Sequence, residues 1–148
     1  MIADKHDNTI IKQLHTASNM AIRSLELRLK PLGVNSSQYF FILKLHDDPG
    51  VTQDQLVRAD SRHQSNVNRE LSRLVKLGLV TKVQSATDGR RYELTLTQAG
   101  EDLYPKVKAA LDAQEQSLAQ ALAAADGRVS KADLLAVLRQ ISASQSQA

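Results

Sequence analysis

At Gly78 the hydrophobic period of the chain switches from helical to extended, and few folds accommodate what lies on either side of that switch. Before it, Val67, Leu71 and Leu74 return every three or four residues, while Ser65, Arg69, Ser72 and Lys76 project from the opposite side of the same helix. Gly78 stands where a left-handed helix cap costs least. After it, residues 79–83 alternate as a strand does, Asp88-Gly89 supplies a tight turn at the tip of residues 85–89, and residues 91–97 alternate again. Upstream, Thr52 can cap a short helix through Leu56 to Ala59, and a turn over residues 60–63 leads into the helix of residues 64–77. Helix, turn, helix, strand, hairpin, strand is the order of a winged helix-turn-helix, in which one helix enters a DNA major groove and the hairpin reaches an adjacent groove.

The rest of the chain reads as helix, which makes the expected fold class mainly α, with a small β element. Ile11, Leu14, Ser18, Ile22, Leu25 and Leu29, widened by Ile10, Ala17 and Ala21, mark a long amphipathic helix that Lys30-Pro31-Leu32-Gly33 breaks. Ser36 or Ser37 is the expected cap of a second helix carrying Tyr39, Phe40, Ile42, Leu43 and Leu45, ended by Asp47-Asp48-Pro49-Gly50. Thr97 is the expected cap of a last long helix with Leu103, Val107, Leu111, Leu118, Leu122 and Ala125 on one face, which Pro105 should kink. Gly127 interrupts, and Ser130-Lys131-Ala132-Asp133 resembles a capped start to a final helix through Leu134, Leu135, Val137, Leu138 and Ile141. With 42% hydrophobic but only 3% aromatic residues, the core must be built from Leu, Val, Ile and Ala on such helices. A length of 148 residues fits one domain, with a winged lobe at 36–97 flanked by helical regions at 8–30 and 98–146.

Composition removes several functions. With no cysteine, the chain has no disulfide, thiolate metal site or thiol redox chemistry. His6, His15, His46 and His63 lack the three- or four-residue spacing of a helical metal site, so no metal and no cofactor are expected. No phosphate loop or nucleophile elbow suggests an enzyme. No apolar run reaches the roughly 18 residues of a membrane span and Met1-Ile2-Ala3-Asp4-Lys5 lacks a signal pattern, so a cytoplasmic protein without a membrane partner is expected. Net charge is only +3, yet residues 58–92 hold eight basic against three acidic side chains, a local +5 on an otherwise slightly acidic chain. Concentration of positive charge in one quarter suits phosphate binding better than a uniformly basic coat.

On the helix of residues 64–77, the amides of Gln64, Asn66 and Asn68 can each pair with adenine N6 and N7, and Arg69 or Arg73 can fork onto guanine O6 and N7. Small Ser65 lets backbone amides near the helix start approach phosphate. On an arbitrary surface such arginines would be solvated charges; the helix-turn-helix context makes double-stranded DNA the expected partner.

Residues 88–100, Asp88-Gly89-Arg90-Arg91-Tyr92-Glu93-Leu94-Thr95-Leu96-Thr97-Gln98-Ala99-Gly100, resemble the wing and following Leu-Thr-x-x-Gly segment of MarR-family regulators. Together with Leu74-Val75-Lys76-Leu77-Gly78-Leu79-Val80, the resemblance extends over about residues 8–146. It implies that Asp88 orients Arg90 for entry into the minor groove and that Arg91 contacts phosphate. It implies a homodimer knotted together by its first and last helices on a pseudo-palindromic operator, acting as a repressor. A small aromatic or phenolic effector is implied between the dimer helices and the lobe, where His15, Asn19, Tyr39 and Phe40 are the candidates by position. Pro105 and the amide-rich Arg62-His63-Gln64-Ser65-Asn66-Val67-Asn68 depart from the family pattern. A winged-helix module that binds another protein, and a ligand-insensitive regulator or activator of the same fold, are the competing readings.

Overall fold

The computed structural model describes residues 5–59, 64–125 and 127–146. Among the described residues, six helices and three short strands follow one another as α1 (Ile10–Leu29), α2 (Tyr39–Asp47), β1 (Val51–Thr52), α3 (Gln53–Ala59), α4 (Gln64–Lys76), β2 (Val80–Gln84), β3 (Tyr92–Leu96), α5 (Gln98–Ala124) and α6 (Lys131–Gln145). A single 3-10 turn, Lys30–Leu32, ends α1, and Gly33 takes the left-handed conformation at φ 77° behind it. This is the expected winged helix-turn-helix. The chain divides into two compact units, one through Leu111 and one from Asp112 onward.

The first unit holds the core. Leu29, Phe41, Ile42, Leu45, Leu56, Val67 and Leu74 are fully enclosed, joined by Leu71, Val80, Leu94 and Val107. The stripe read from sequence on α4 is thus the buried one, and Leu56 of α3 shares the same core. On α2 the enclosed aromatic is Phe41, whereas Tyr39 and Phe40 are half-buried against the cluster. Three aromatic side chains in a row place one inward only once the neighbouring elements are fixed.

The start of α2 differs from expectation. Neither Ser36 nor Ser37 caps it; the helix begins after Gln38 without a side-chain cap. The preceding turn is closed by Asn35 and Gln38 instead. The Asn35 carbonyl accepts from the N–H groups of Gln38 and Tyr39, its Oδ1 accepts from the Ser37 N–H at 2.9 Å, and Gln38 Oε1 accepts from the Asn35 N–H at 3.2 Å. Ser36 gives its N–H to Glu26 Oε1 of α1 at 2.8 Å, so its backbone serves α1 rather than α2.

The sheet is antiparallel in the order β1-β3-β2. Two-residue β1, which no alternation could reveal, pairs Val51 with Leu94 and Thr52 with Glu93. Between β2 and β3 the register runs from Val80 opposite Leu96 to Gln84 opposite Tyr92. Val80 of β2 and Leu94 of β3 are buried, and the outer part of the hairpin beyond them stands clear of the core. Gly78 has φ 75°, as its place behind α4 predicts.

Thr97 joins hairpin to helix: its hydroxyl donates to the Gly78 carbonyl at 2.6 Å and accepts from the Gly100 N–H at 3.1 Å. Pro105 lies within α5, which continues through it to Ala124. In the second unit, α6 starts at a reciprocal box in which Ser130 Oγ accepts from the Asp133 N–H and Asp133 Oδ2 accepts from the Ser130 N–H. Among the described residues, no helix is long and apolar enough to cross a membrane.

Candidate nucleic-acid interface

Helix α4 exists because its apolar stripe buries against α3 and the sheet, and that same burial decides which residues face out. Gln64, Ser65, Arg69, Ser72, Arg73 and Lys76 are exposed; Asn66 and Asn68 are half-buried. The turn over residues 60–63, with Arg62 and His63, lies outside the described residues.

Several exposed groups are tied to one another. Arg69 Nη2 donates to Asn66 Oδ1 at 2.7 Å, one turn earlier on the same face. Asn68 Oδ1 accepts from Gln53 Nε2 of α3 at 2.6 Å, which turns this amide toward the neighbouring helix. Arg73 Nη1 donates to Glu70 Oε1 at 2.8 Å while its side chain stays 55% exposed. Residues Gln53, Asn68, Leu71, Ser72, Val75, Lys76, Lys82 and Leu94 line a cleft of about 230 Å³ beside the helix.

The wing carries the second group of cations. Asp88 Oδ1 accepts from the Arg90 backbone N–H at 3.0 Å, and its other oxygen lies 3.5 Å from Arg91 Nε. Asp88 therefore fixes residue 90 through its main chain and pairs with the guanidinium of Arg91, not that of Arg90. The Asp88 carbonyl accepts from the Arg91 N–H and the Arg91 carbonyl from the Ser85 N–H, closing the tip. Arg90 is exposed at that tip. Lys82 Nζ sits 4.7 Å over the Tyr92 ring, a cation–π contact that props the outer hairpin. Arg90, Arg91 and Tyr92 also line a small cleft with Thr52, Gln53 and Asp54, which brings the wing to the start of α3.

Glu70 and Gln38 were missed in the sequence. Glu70 is only 5% exposed and Gln38 only 4%, and Gln38 Nε2 donates to Glu70 Oε2 at 3.1 Å. The signal was a charged residue three after Val67 and four before Leu74, on the apolar stripe itself. The effector candidates fall on two elements. His15 and Asn19 are exposed on α1 with Nε2 and Nδ2 at 3.0 Å, and Tyr39 and Phe40 sit half-buried at the start of α2, Phe40 edge-on to Phe41 at 5.7 Å.

An exposed amide-and-arginine helix beside a basic hairpin is the arrangement against which known proteins can be compared. The MarR family's sequence profile matches residues 32–91, from the end of α1's terminal turn to the wing. That stretch is similar to the MarR family. Among solved structures, the chain is similar to the transcriptional repressor CouR bound to a 23-mer DNA duplex. That likeness has TM-score 0.81 and 20% identity, covering 96% of this chain and 99% of CouR. It is similar to PcaV from Streptomyces coelicolor in complex with its natural ligand, with TM-score 0.78 and 22% identity over 96% of this chain and 97% of PcaV. BilQ of Clostridioides difficile, an HTH-type transcriptional regulator, is 24% identical over 80 residues, 54% of each protein. Matched stretches span 54% to 67% of the length of such curated relatives. The MarR-like stretch therefore sits in a chain whose whole-length likeness to CouR and PcaV is one of fold.

Proposed function

We propose that this protein is a homodimeric, sequence-specific DNA-binding regulator that represses transcription in the cytoplasm and is released by a small aromatic ligand. The observation that carries the reading is α4: a fully anchored helix whose outward face is made of amides and arginines, followed by an exposed wing with Arg90 at its tip. Two α4 helices of a dimer would occupy successive major grooves about 34 Å apart, with Arg90 in the flanking minor grooves and Arg91 at phosphate. Gln64, Asn66, Arg69 and Arg73 supply base contacts, Asn68 joins them only on giving up its bond from Gln53 Nε2, and Ser65 approaches phosphate near the helix start. Residues 36–97 form the DNA-binding lobe of a single 1–148 domain, and 8–30 with 98–146 pair the protomers.

Pairing is supported by apolar surface with no cover in one chain: Ile10, Ile11, Met20, Ile22 and Leu27 of α1, and Leu134, Leu135, Val137 and Leu138 of α6, are all exposed. CouR is solved on DNA and PcaV with its ligand, which supports operator binding and ligand release here. His15, Asn19, Tyr39 and Phe40 are the proposed effector contacts. A ligand acts by favouring a dimer whose two α4 helices miss the half-site spacing.

The deciding experiment is a gel shift of DNA from the protein's own upstream region across a salt series. Salt-sensitive retardation is expected, weakened severely by Arg90→Ala with the dimer intact; no salt-sensitive shift removes the reading. A thermal-shift screen of phenolic acids tests the effector: a specific ligand raises the midpoint as its concentration passes the dissociation constant.

A further inference from the structure

We propose that Glu70 is a positioning residue for DNA recognition, holding the Arg73 guanidinium in the one orientation in which it reads a base; the proposal rests on the DNA-binding reading above. A carboxylate enclosed to 5% exposure on the apolar side of a helix is costly in stability, and an ion pair there is no better for folding than an apolar side chain of the same size. Its worth has to be sought in what it orients.

The two oxygens of Glu70 are divided between two tasks. Oε2 accepts from Gln38 Nε2 at 3.1 Å, and the Gln38 amide is itself fixed, because its Oε1 accepts from the Asn35 N–H at 3.2 Å. Gln38 thus presents its NH2 to Glu70, anchoring the carboxylate from outside α4. Oε1 then faces Arg73 Nη1 at 2.8 Å, with Arg69 Nε at 3.9 Å on the same oxygen. Arg73 is held at one nitrogen, while its side chain remains 55% exposed. A guanidinium pinned in this way loses less rotamer freedom when its remaining N–H groups fork onto an acceptor pair.

The test is a double-mutant cycle of Glu70→Gln and Arg73→Ala. Affinities are measured for a duplex that the wild-type protein itself selects from a randomised pool, and for a scrambled duplex at the same salt. Glu70→Gln is expected to weaken the selected duplex by roughly tenfold, within the range of one lost base contact. The scrambled duplex is held equally or better, since a negative charge has gone from beside the phosphates. In the Arg73→Ala background the same change is expected to cost nothing further. Faster motion of the Arg73 side chain in Glu70→Gln, read by 15N relaxation at Nε, completes the expected result.

If the wild type shows no preference for any selected duplex, the DNA-binding reading itself falls, and the proposal with it. If the wild type selects but Arg73→Ala costs nothing, or Glu70→Gln costs nothing, or its loss persists undiminished without Arg73, the positioning role alone is overturned. Equal weakening of both duplexes marks a structural role and overturns it too. Should Glu70→Gln fail to fold, Glu70→Asp, which keeps the charge and withdraws it by one methylene, is carried through the same cycle with the same criteria.

Discussion

Helices α4 and α6 both carry leucine and valine at helical spacing and meet opposite fates. On α4, Val67, Leu71 and Leu74 are at most 2% exposed; on α6, Leu134, Leu135, Val137 and Leu138 are 37% to 54% exposed, and no residue of the helix is buried. Both stripes follow helical spacing, so the difference lies in what covers them. Inside the lobe, α3, the sheet and α2 supply that cover within one protomer. For α6 we propose a second copy, and the contrast then becomes one between stability that is intrinsic and stability that depends on concentration.

The sharpest way to break this contrast is to remove the same atoms from both helices. Leu74→Ala should cost about 2–5 kcal/mol of unfolding free energy, as a large-to-small change in a closed core does. That cost should be the same at every protein concentration in denaturant titrations. Leu138→Ala should show its effect only through a midpoint that moves with concentration. A concentration-independent loss at Leu138 equal to that at Leu74 would mean that α6 is covered within its own chain.

The two helices also show what a single sequence can reveal. Periodicity sees an apolar face but not its partner, so what covers α4 or α6 stays hidden until packing is known. The hairpin was readable because alternation, Gly78 and Asp88-Gly89 are local signals that agree. Strand β1 was not, because two residues have no period and pair only when β3 arrives beside them. Four of the residues proposed to face DNA, Gln64, Ser65, Arg69 and Arg73, are exposed, whereas Asn68 turns toward Gln53, a partner 15 positions away that no helical wheel contains. Glu70 is hidden in the same way, because its partner Gln38 is 32 residues distant.

A second way to sharpen the comparison is to charge the open stripe. Leu135→Glu with Leu138→Glu should raise the dimer dissociation constant roughly hundredfold or more, since each leucine buried on association is worth about 1.5–3 kcal/mol. Sedimentation velocity reads the shift, and far-UV circular dichroism should stay near that of the parent because no lobe contact is touched. Unchanged sedimentation would remove α6 from the proposed interface.

Where the lobe is tight, one methyl group suffices. A Cβ built at Gly100 would lie 2.3 Å from the Leu79 carbonyl oxygen and 3.1 Å from the Leu96 side chain. Gly100→Ala should therefore force the start of α5 away from the hairpin at a cost of about 1–3 kcal/mol, the usual range for overpacking. Thermal unfolding measures it, and an unshifted midpoint would show that this junction gives freely. The same close approach explains why a glycine follows Leu96-Thr97 at that spacing.

The smallest expected effect lies at the start of α6, where surface chemistry rather than packing sets the helix. Asp133 is held below the ordinary carboxylate value of 3.8, first by the Ser130 hydroxyl at 2.8 Å and then by the Ser130 backbone N–H at 3.2 Å. Because the folded value is depressed relative to the unfolded one, the stabilisation is complete above 3.8 and disappears as pH falls through the lowered folded value. Helix content of α6 should thus be flat from neutral pH to about pH 5 and fall only in stronger acid. Asp133→Asn should abolish that acid step, and Ser130→Ala should return the Asp133 carboxyl toward its ordinary value by removing its larger cause. A carbon-detected titration of Asp133 reads both. If the wild-type carboxyl titrates at 3.8 or above, the reciprocal box does not hold the start of α6, and the helix owes its place to the proposed partner alone.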